Sequence, residues 1–225
     1  MSQIDVCIKD DGVKISYDNG GRKIVKNVSV DDFINSITKD VVQRTGLLSR
    51  GVREVFSYGD NDVVTIEIPP RIRDMVFSED KMKKTYSVPF PSLVFVFWLN
   101  GGTIRESWCF ATKDPIHKGD AELHYFPYGN VYPDGRICWG DTAFLGKNKY
   151  NTSNISAVVT RFLQAPFNRD LAEEAFTPPK KGVNSTLRLL QHLDGTYKFP
   201  KEILRPTLKY DKRIEKIFEH VKKER

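Results

Sequence analysis

The chain has 225 residues, 40% of them apolar and 28% charged, a composition that suits one ordinary globular domain with extensions. No apolar run approaches the ~20 residues that span a bilayer, and the start MSQIDVCIKDDG has no basic, apolar leader, so a cytoplasmic protein away from membranes is expected. Three cysteines, Cys7, Cys109 and Cys138, cannot build a disulfide framework, and with no Cys-x2-Cys pair neither a metal nor a cofactor is expected.

The net charge of +6 is uneven. Lys180 to Arg225 holds 13 Lys and Arg against 6 Asp and Glu, which leaves the rest of the chain at −1. Such a segment either presents a solvated face or steers an acidic partner; nucleic acid is not the expected one.

Residues Ile4 to Val28 alternate apolar and polar, which predicts strands near Asp5–Lys9, Val13–Tyr17 and Lys23–Val28. Asp18-Asn19-Gly20-Gly21 supplies a hairpin turn. Ser29 or Asp31 then caps a helix with Phe33, Ile34, Ile37 and Val41 on one face, ending near Gly46. Val52–Tyr58 and Asp62–Ile68 are strand candidates, the second stopped by Pro69-Pro70. The clearest hairpin joins Ser92–Leu99 to Thr103–Thr112 through Asn100-Gly101-Gly102. Its first strand is apolar almost throughout and so is expected to be buried on both faces. Glu122–Phe126 gives one more short strand.

A helix is predicted from about Asn154 to Leu163, where Ile155, Val158, Val159, Phe162 and Leu163 fall at helical spacing. Thr177-Pro178-Pro179 breaks the chain, and Val183–Leu193 and Arg213–Lys222 are further helices. The second carries Ile214, Ile217, Phe218 and Val221 on one stripe. This order is compatible with an α+β fold.

Between the last strand and the Asn154 helix lies YFPYGNVYPDGRICWGD, Tyr125 to Asp141. Pro133-Asp134-Gly135 is a tight-turn sequence. Asn130 precedes it, and the Gly135-Arg136-Ile137 approach leads to Cys138. A thiol that sits beside an amide side chain can accept an acyl group, because a thiolate is both a strong nucleophile and a good leaving group. Read without any family, Cys138 is equally a packed structural cysteine. His124, on the strand before the loop, and His117 are candidate bases. A thiol hydrolase pairing Cys138 with His124 would need a helix N-terminus at the cysteine or a His-Asp pair, and neither is legible.

Asn-x4-Gly-Arg-Ile-Cys resembles the active-site segment of ubiquitin-conjugating enzymes, the E2 or UBC-fold family, where His-Pro-Asn precedes Gly-x-Ile-Cys. Phe126-Pro127 to Trp139-Gly140 is also similar to divergent bacterial E2-like proteins, including the protein B group of PRTRC plasmid systems. Leu163 to Ala172, LQAPFNRDLA, resembles the segment after the family's cross-over helix.

The resemblance implies a UBC-like fold, with about four antiparallel strands and flanking helices over residues 31–176. A β extension over 1–30 would precede it and a basic helical extension over 177–225 would follow. It further implies that Cys138 accepts a ubiquitin-like modifier from an E1-like adenylating enzyme as a thioester and passes it to an amine. A JAB-type peptidase is a further implied partner, and defence or plasmid maintenance the implied setting. Asn130 would brace the loop and donate to the oxyanion. Tyr128 stands where the family has His and would hydrogen-bond through its hydroxyl; Gly129 replaces Pro and loosens the loop. Asp141 would position the incoming amine or lower its pKa. Arg136 would favour the thiolate if it points to the thiol's side. E1 docking would fall on the first helix, near Lys39 and Arg44. The alternative is a non-catalytic E2-like module that binds the modifier or scaffolds a complex.

Overall fold

The computed structural model describes residues 4–9, 11–38, 48–79, 81–140, 145, 148–169, 171 and 175–224. They belong to two compact units, 1–45 and 46–225.

The first unit is an antiparallel meander of β1 (Ile4–Lys9), β2 (Gly12–Asn19) and β3 (Arg22–Val28), followed by α1 (Val30–Thr38). The predicted β2–β3 turn forms as read, with the Gly21 N–H donating to Asp18 Oδ1 at 2.7 Å. Ser29 caps α1: its Oγ accepts from the Asp32 N–H at 3.0 Å and donates to Asp32 Oδ2 at 2.7 Å. Lys39, Val41, Arg44 and Gly46 lie outside the described residues.

The second unit is α+β. Its sheet has the order β11-β10-β9-β8-β5-β4 and is antiparallel throughout. The strands are β4 (Val52–Tyr58), β5 (Asn61–Ile68), β8 (Ser92–Asn100), β9 (Thr103–Thr112), β10 (Glu122–Tyr125) and β11 (Pro206–Lys209). The expected four strands are therefore corrected to six. Pro206–Lys209, not legible as a strand, pairs along β10 and covers what would have been an open edge.

The sheet is buried on both faces. Phe95, Phe97 and Leu93 of β8 point into one core, with Val158, Val159 and Phe162 of α2 (Ser156–Gln164) and Leu189 and Leu190 of α3 (Thr186–Leu193). Val94, Val96 and Trp98 point to the other, against Tyr210, Ile214, Ile217 and Val221 of α4 (Tyr210–Lys223). The apolar run of β8 thus has its physical reason, since both sets of alternate side chains meet helices. The basic C-terminal helix is anchored: Tyr210 donates its hydroxyl to Glu54 Oε2 at 2.8 Å, and Phe218 packs on Phe56 at 5.8 Å between ring centroids.

The sequence reading leaves 71–90 unassigned. There β6 (Arg71–Glu79) and β7 (Met82–Phe90) form a long two-stranded ribbon that buries Met75, Phe77, Tyr86, Val88 and Phe90 in the first core. β6 also grips the chain just after α2, where the Phe167 N–H donates to the Val76 carbonyl at 2.7 Å and the Ser78 N–H donates to the Phe167 carbonyl at 2.8 Å. No helix among the described residues is long and apolar enough to cross a membrane.

Candidate functional site

The stretch around Cys138 is a miniature hairpin pinned to the sheet. Tyr132-Pro133-Asp134-Gly135 closes with the Gly135 N–H donating to the Tyr132 carbonyl at 2.8 Å. The Asp134 carboxylate stiffens the turn by accepting from the Arg136 N–H at 3.0 Å, two residues on. Gly135 is required: its φ is +92°, and an added Cβ would lie 2.3 Å from the Phe110 ring. The second arm then runs along β9, with Cys109 N–H donating to the Gly135 carbonyl at 2.9 Å and Ile137 N–H donating to the Ser107 carbonyl at 2.8 Å.

Val131 and Ile137 are paired across the hairpin. Tyr132 N–H donates to the Arg136 carbonyl and Cys138 N–H to the Asn130 carbonyl, each at 2.8 Å. Val131 and Ile137 are therefore the narrow, non-hydrogen-bonded pair, and their side chains go inward. Alternation then sends Asn130, Tyr132, Arg136 and Cys138 to the opposite, outward face. Tyr132 and Arg136 are exposed and Asn130 and Cys138 half-buried, as that requires.

Asn130 adopts a left-handed backbone, φ +57°, a conformation that asparagine tolerates better than most residues. Its Nδ2 donates to the Pro166 carbonyl at 2.9 Å. Because β6 holds Phe167 by both its backbone groups, the neighbouring Pro166 carbonyl is fixed where this amide can reach it. Gly129 has φ +96°, which proline, locked near −65°, cannot adopt. The departure from a His-Pro pair is thus a change of backbone path.

Tyr132 is the residue that sequence reasoning missed. Its hydroxyl faces the Cys138 sulfur, and that neighbour, through hydrogen bonding and then charge, holds the phenol's pKa above its ordinary value. The signal was available: once the turn at Pro133–Gly135 is placed, alternation puts Tyr132 on the face of Cys138. Arg136 shares that face and lies 5.8 Å from the centroid of the Tyr132 ring, but its Nε is paired with Asp134 Oδ2 at 2.7 Å. A groove lined by Arg105, Glu106, Ser107, Tyr132, Cys138 and Leu145 opens onto the thiol. Trp139 packs: its indole N–H donates to Ser107 Oγ at 2.8 Å, and its ring lies 5.8 Å from that of Phe162.

Among the described residues, the other sequence candidates do not converge on the thiol. Tyr128 is fully buried and donates its hydroxyl to the Pro89 carbonyl at 2.5 Å, and burial pushes its pKa well up. It is a core residue supporting the loop from below. His124 is also buried, with Nε2 3.2 Å from Glu122 Oε2. It sits opposite Ala111 on β9, whereas Ile137 is bonded to Ser107. Four residues of strand correspond to about 13 Å, too far for proton transfer to Cys138. His117 is exposed beyond the C-terminal end of β9. Asp141 lies outside the described residues. Of the other two thiols, Cys109 is buried and its pKa pushed well up by burial, while Cys7 is exposed on β1 of the first unit.

The family model of prokaryotic E2 family D matches residues 33–207, and the chain belongs to that family. The match takes in the whole Cys138 hairpin, the segment that binds Asn130 and both helices of the first core. No curated protein and no solved structure matches the chain.

Proposed function

We propose that the protein is an E2-like conjugating enzyme that carries a ubiquitin-like protein as a thioester on Cys138 and delivers it to an amine. The observation that carries this reading is the outward face of the hairpin, where a half-exposed thiol lies beside Asn130 and under the Tyr132 hydroxyl, at the floor of an open groove. Membership of a prokaryotic E2 family supports it.

In this mechanism the Cys138 thiolate attacks the carbonyl carbon of the modifier's C-terminal thioester on an E1-like enzyme. A new C–S bond forms, the E1 C–S bond breaks, and the E1 thiolate leaves and takes up a proton. An amine then attacks the same carbon, the Cys138 C–S bond breaks, and the amine proton passes to solvent. Each step builds negative charge on the carbonyl oxygen. The second N–H of the Asn130 amide and the Tyr132 hydroxyl are the side-chain donors beside that position. The E1-like enzyme and the modifier are the partners this reading requires; a JAB-type peptidase would act on the product.

A second reading, a non-catalytic E2-like binding module, draws on one observation: the Asn130 amide is already engaged by Pro166. One experiment separates the two. Incubation with the cognate E1-like enzyme, modifier and ATP, followed by a non-reducing gel, gives a reducible adduct that Cys7→Ser and Cys109→Ser retain and Cys138→Ala abolishes. An adduct that persists in Cys138→Ala, or none in any variant while the modifier still binds, overturns the conjugating reading.

A further inference from the structure

A cavity of about 590 Å³ opens where β4 begins, β5 ends and β6 begins. Its walls carry Arg50, Arg53, Arg71 and Arg73 against one carboxylate, Glu67. Glu67 is already saturated. Arg53 reaches its Oε2 through Nε at 2.7 Å and Nη2 at 2.6 Å, while the Ile116 N–H and Ser92 Oγ meet Oε1 at 3.0 and 3.2 Å. No carboxylate among the described residues pairs with Arg50, Arg71 or Arg73. The Nε of Arg73 is buried and has no hydrogen-bond partner among them. Burial and then the charge of Arg71 work against the Arg73 cation. Like charges gathered in one cavity with a buried donor left open are suited to receive an anion.

A second cavity, about 350 Å³, shares Pro70, Arg71, Ser92 and Pro115 with the first. It is lined further by Phe90, Pro91, Lys113, Tyr197 and Asp114, whose carboxylate is paired with Lys201 at 2.7 Å. Tyr197 is 89% exposed, which leaves its ring open to stacking. Each volume falls in the range of small-molecule sites, about 300–1,000 Å³. Three guanidinium groups beyond the Arg53–Glu67 pair in one cavity call for several negative charges on one ligand, and the fork of arginine matches phosphate oxygens. Phe90, Pro91 and Tyr197 give the adjoining cavity apolar and aromatic surface on which a flat ring can stack.

We propose that the two adjoining cavities form a binding site for a nucleoside polyphosphate, with phosphates among Arg50, Arg71 and Arg73 and the base on Tyr197. The site is independent of Cys138 and goes beyond the conjugating reading.

Calorimetric titration of the full chain with ADP, and with inorganic pyrophosphate as the phosphate-only probe, tests this. ADP should bind more tightly than pyrophosphate. Arg71→Ala with Arg73→Ala should weaken both by about tenfold or more. Tyr197→Ala should weaken ADP by at least about fivefold and leave pyrophosphate unchanged. Cys138→Ala should bind ADP as the parent does, which separates this site from the thioester chemistry. If the alanine pair melts early, Arg71→Lys with Arg73→Lys keeps the charge, removes the fork and should still weaken binding. ADP that binds no better than pyrophosphate, or that ignores both arginine pairs, overturns the proposal. So does tighter binding of oligothymidylate or a polyglutamate peptide to the same arginines, which would make the site one for a nucleic-acid strand or an acidic protein.

Discussion

The backbone N–H of Cys138 donates to the carbonyl of Asn130 at 2.8 Å, so the thiol and the amide start from adjacent positions on one face of a hairpin. The Asn130 side chain then spans to Pro166, tying that hairpin to the chain after α2. One residue therefore does two jobs, a backbone turn at positive φ and a side-chain brace, and substitutions separate them. Asn130→Gly keeps the turn and should cost about 1 kcal/mol for the lost bond. Asn130→Ala should cost about 1 kcal/mol more, for the left-handed backbone. Chemical denaturation of both variants measures this. Under the proposed function, single-turnover discharge of preloaded Asn130→Gly should slow by about 10²–10³ if the amide also serves the oxyanion. A normal discharge rate would leave Asn130 a bracing residue only.

Gly135 controls whether the hairpin can lie against β9. Gly135→Ala forces a Cβ into the Phe110 ring and strains a positive φ, so a loss of about 2–5 kcal/mol is expected. Gly140→Ala has φ +65° but no atom of the described residues within 4 Å of the added Cβ, and should lose only the backbone part, about 1–2 kcal/mol. Equal losses in the two melting curves would mean that Phe110 gives way.

The Tyr132–Cys138 contact has a spectroscopic signature. Removing the sulfur takes away the largest cause of the raised phenol pKa, so in Cys138→Ala the Tyr132 transition should move to lower pH, back toward its ordinary value. Ultraviolet titration of parent minus Tyr132→Phe isolates that transition. If the Cys138→Ala background gives the same midpoint, the contact does not persist in solution.

His124 makes stability depend on pH. Burial lowers its pKa in the folded state, with the charge of Lys113 second. The unfolded chain, with histidine near about 6.5, then binds the proton more readily. The stabilisation is present above about pH 6.5 and lost as pH falls below it. Parent stability should drop relative to His124→Gln between about pH 7 and pH 5, by at most about 1.4 kcal/mol per pH unit. Parallel curves would exclude the effect.

The C-terminal helix separates packing from charge. Ile217→Ala, beneath α4, should cost about 2–4 kcal/mol. Lys209→Glu, Lys216→Glu and Lys223→Glu are exposed changes and should each leave stability within about 0.5 kcal/mol. Under the proposed function, any effect of these three on Cys138 loading should be on its rate and should fade with salt, as steering does. A salt-independent effect would assign α4 a direct contact.

Much of this molecule was legible in the sequence, and for a local reason. The Pro133-Asp134-Gly135 turn, the β8–β9 hairpin and the apolar stripe of α2 are each specified by residues within a few positions of one another. Alternation from the turn already puts Cys138, Asn130 and Tyr132 on one face. What the sequence could not decide is which elements meet. β11 pairs with β10 across some eighty residues of chain, at His124 and Pro206. β6 and β7, which the sequence reading leaves unassigned, position the carbonyl that Asn130 binds. Tyr128 and His124 read as site residues because they flank the motif, yet both are buried away from the thiol. Periodicity fixes which side of an element is apolar; only the pairing of distant strands and helices decides whether that side closes over a core or opens onto a half-exposed sulfur.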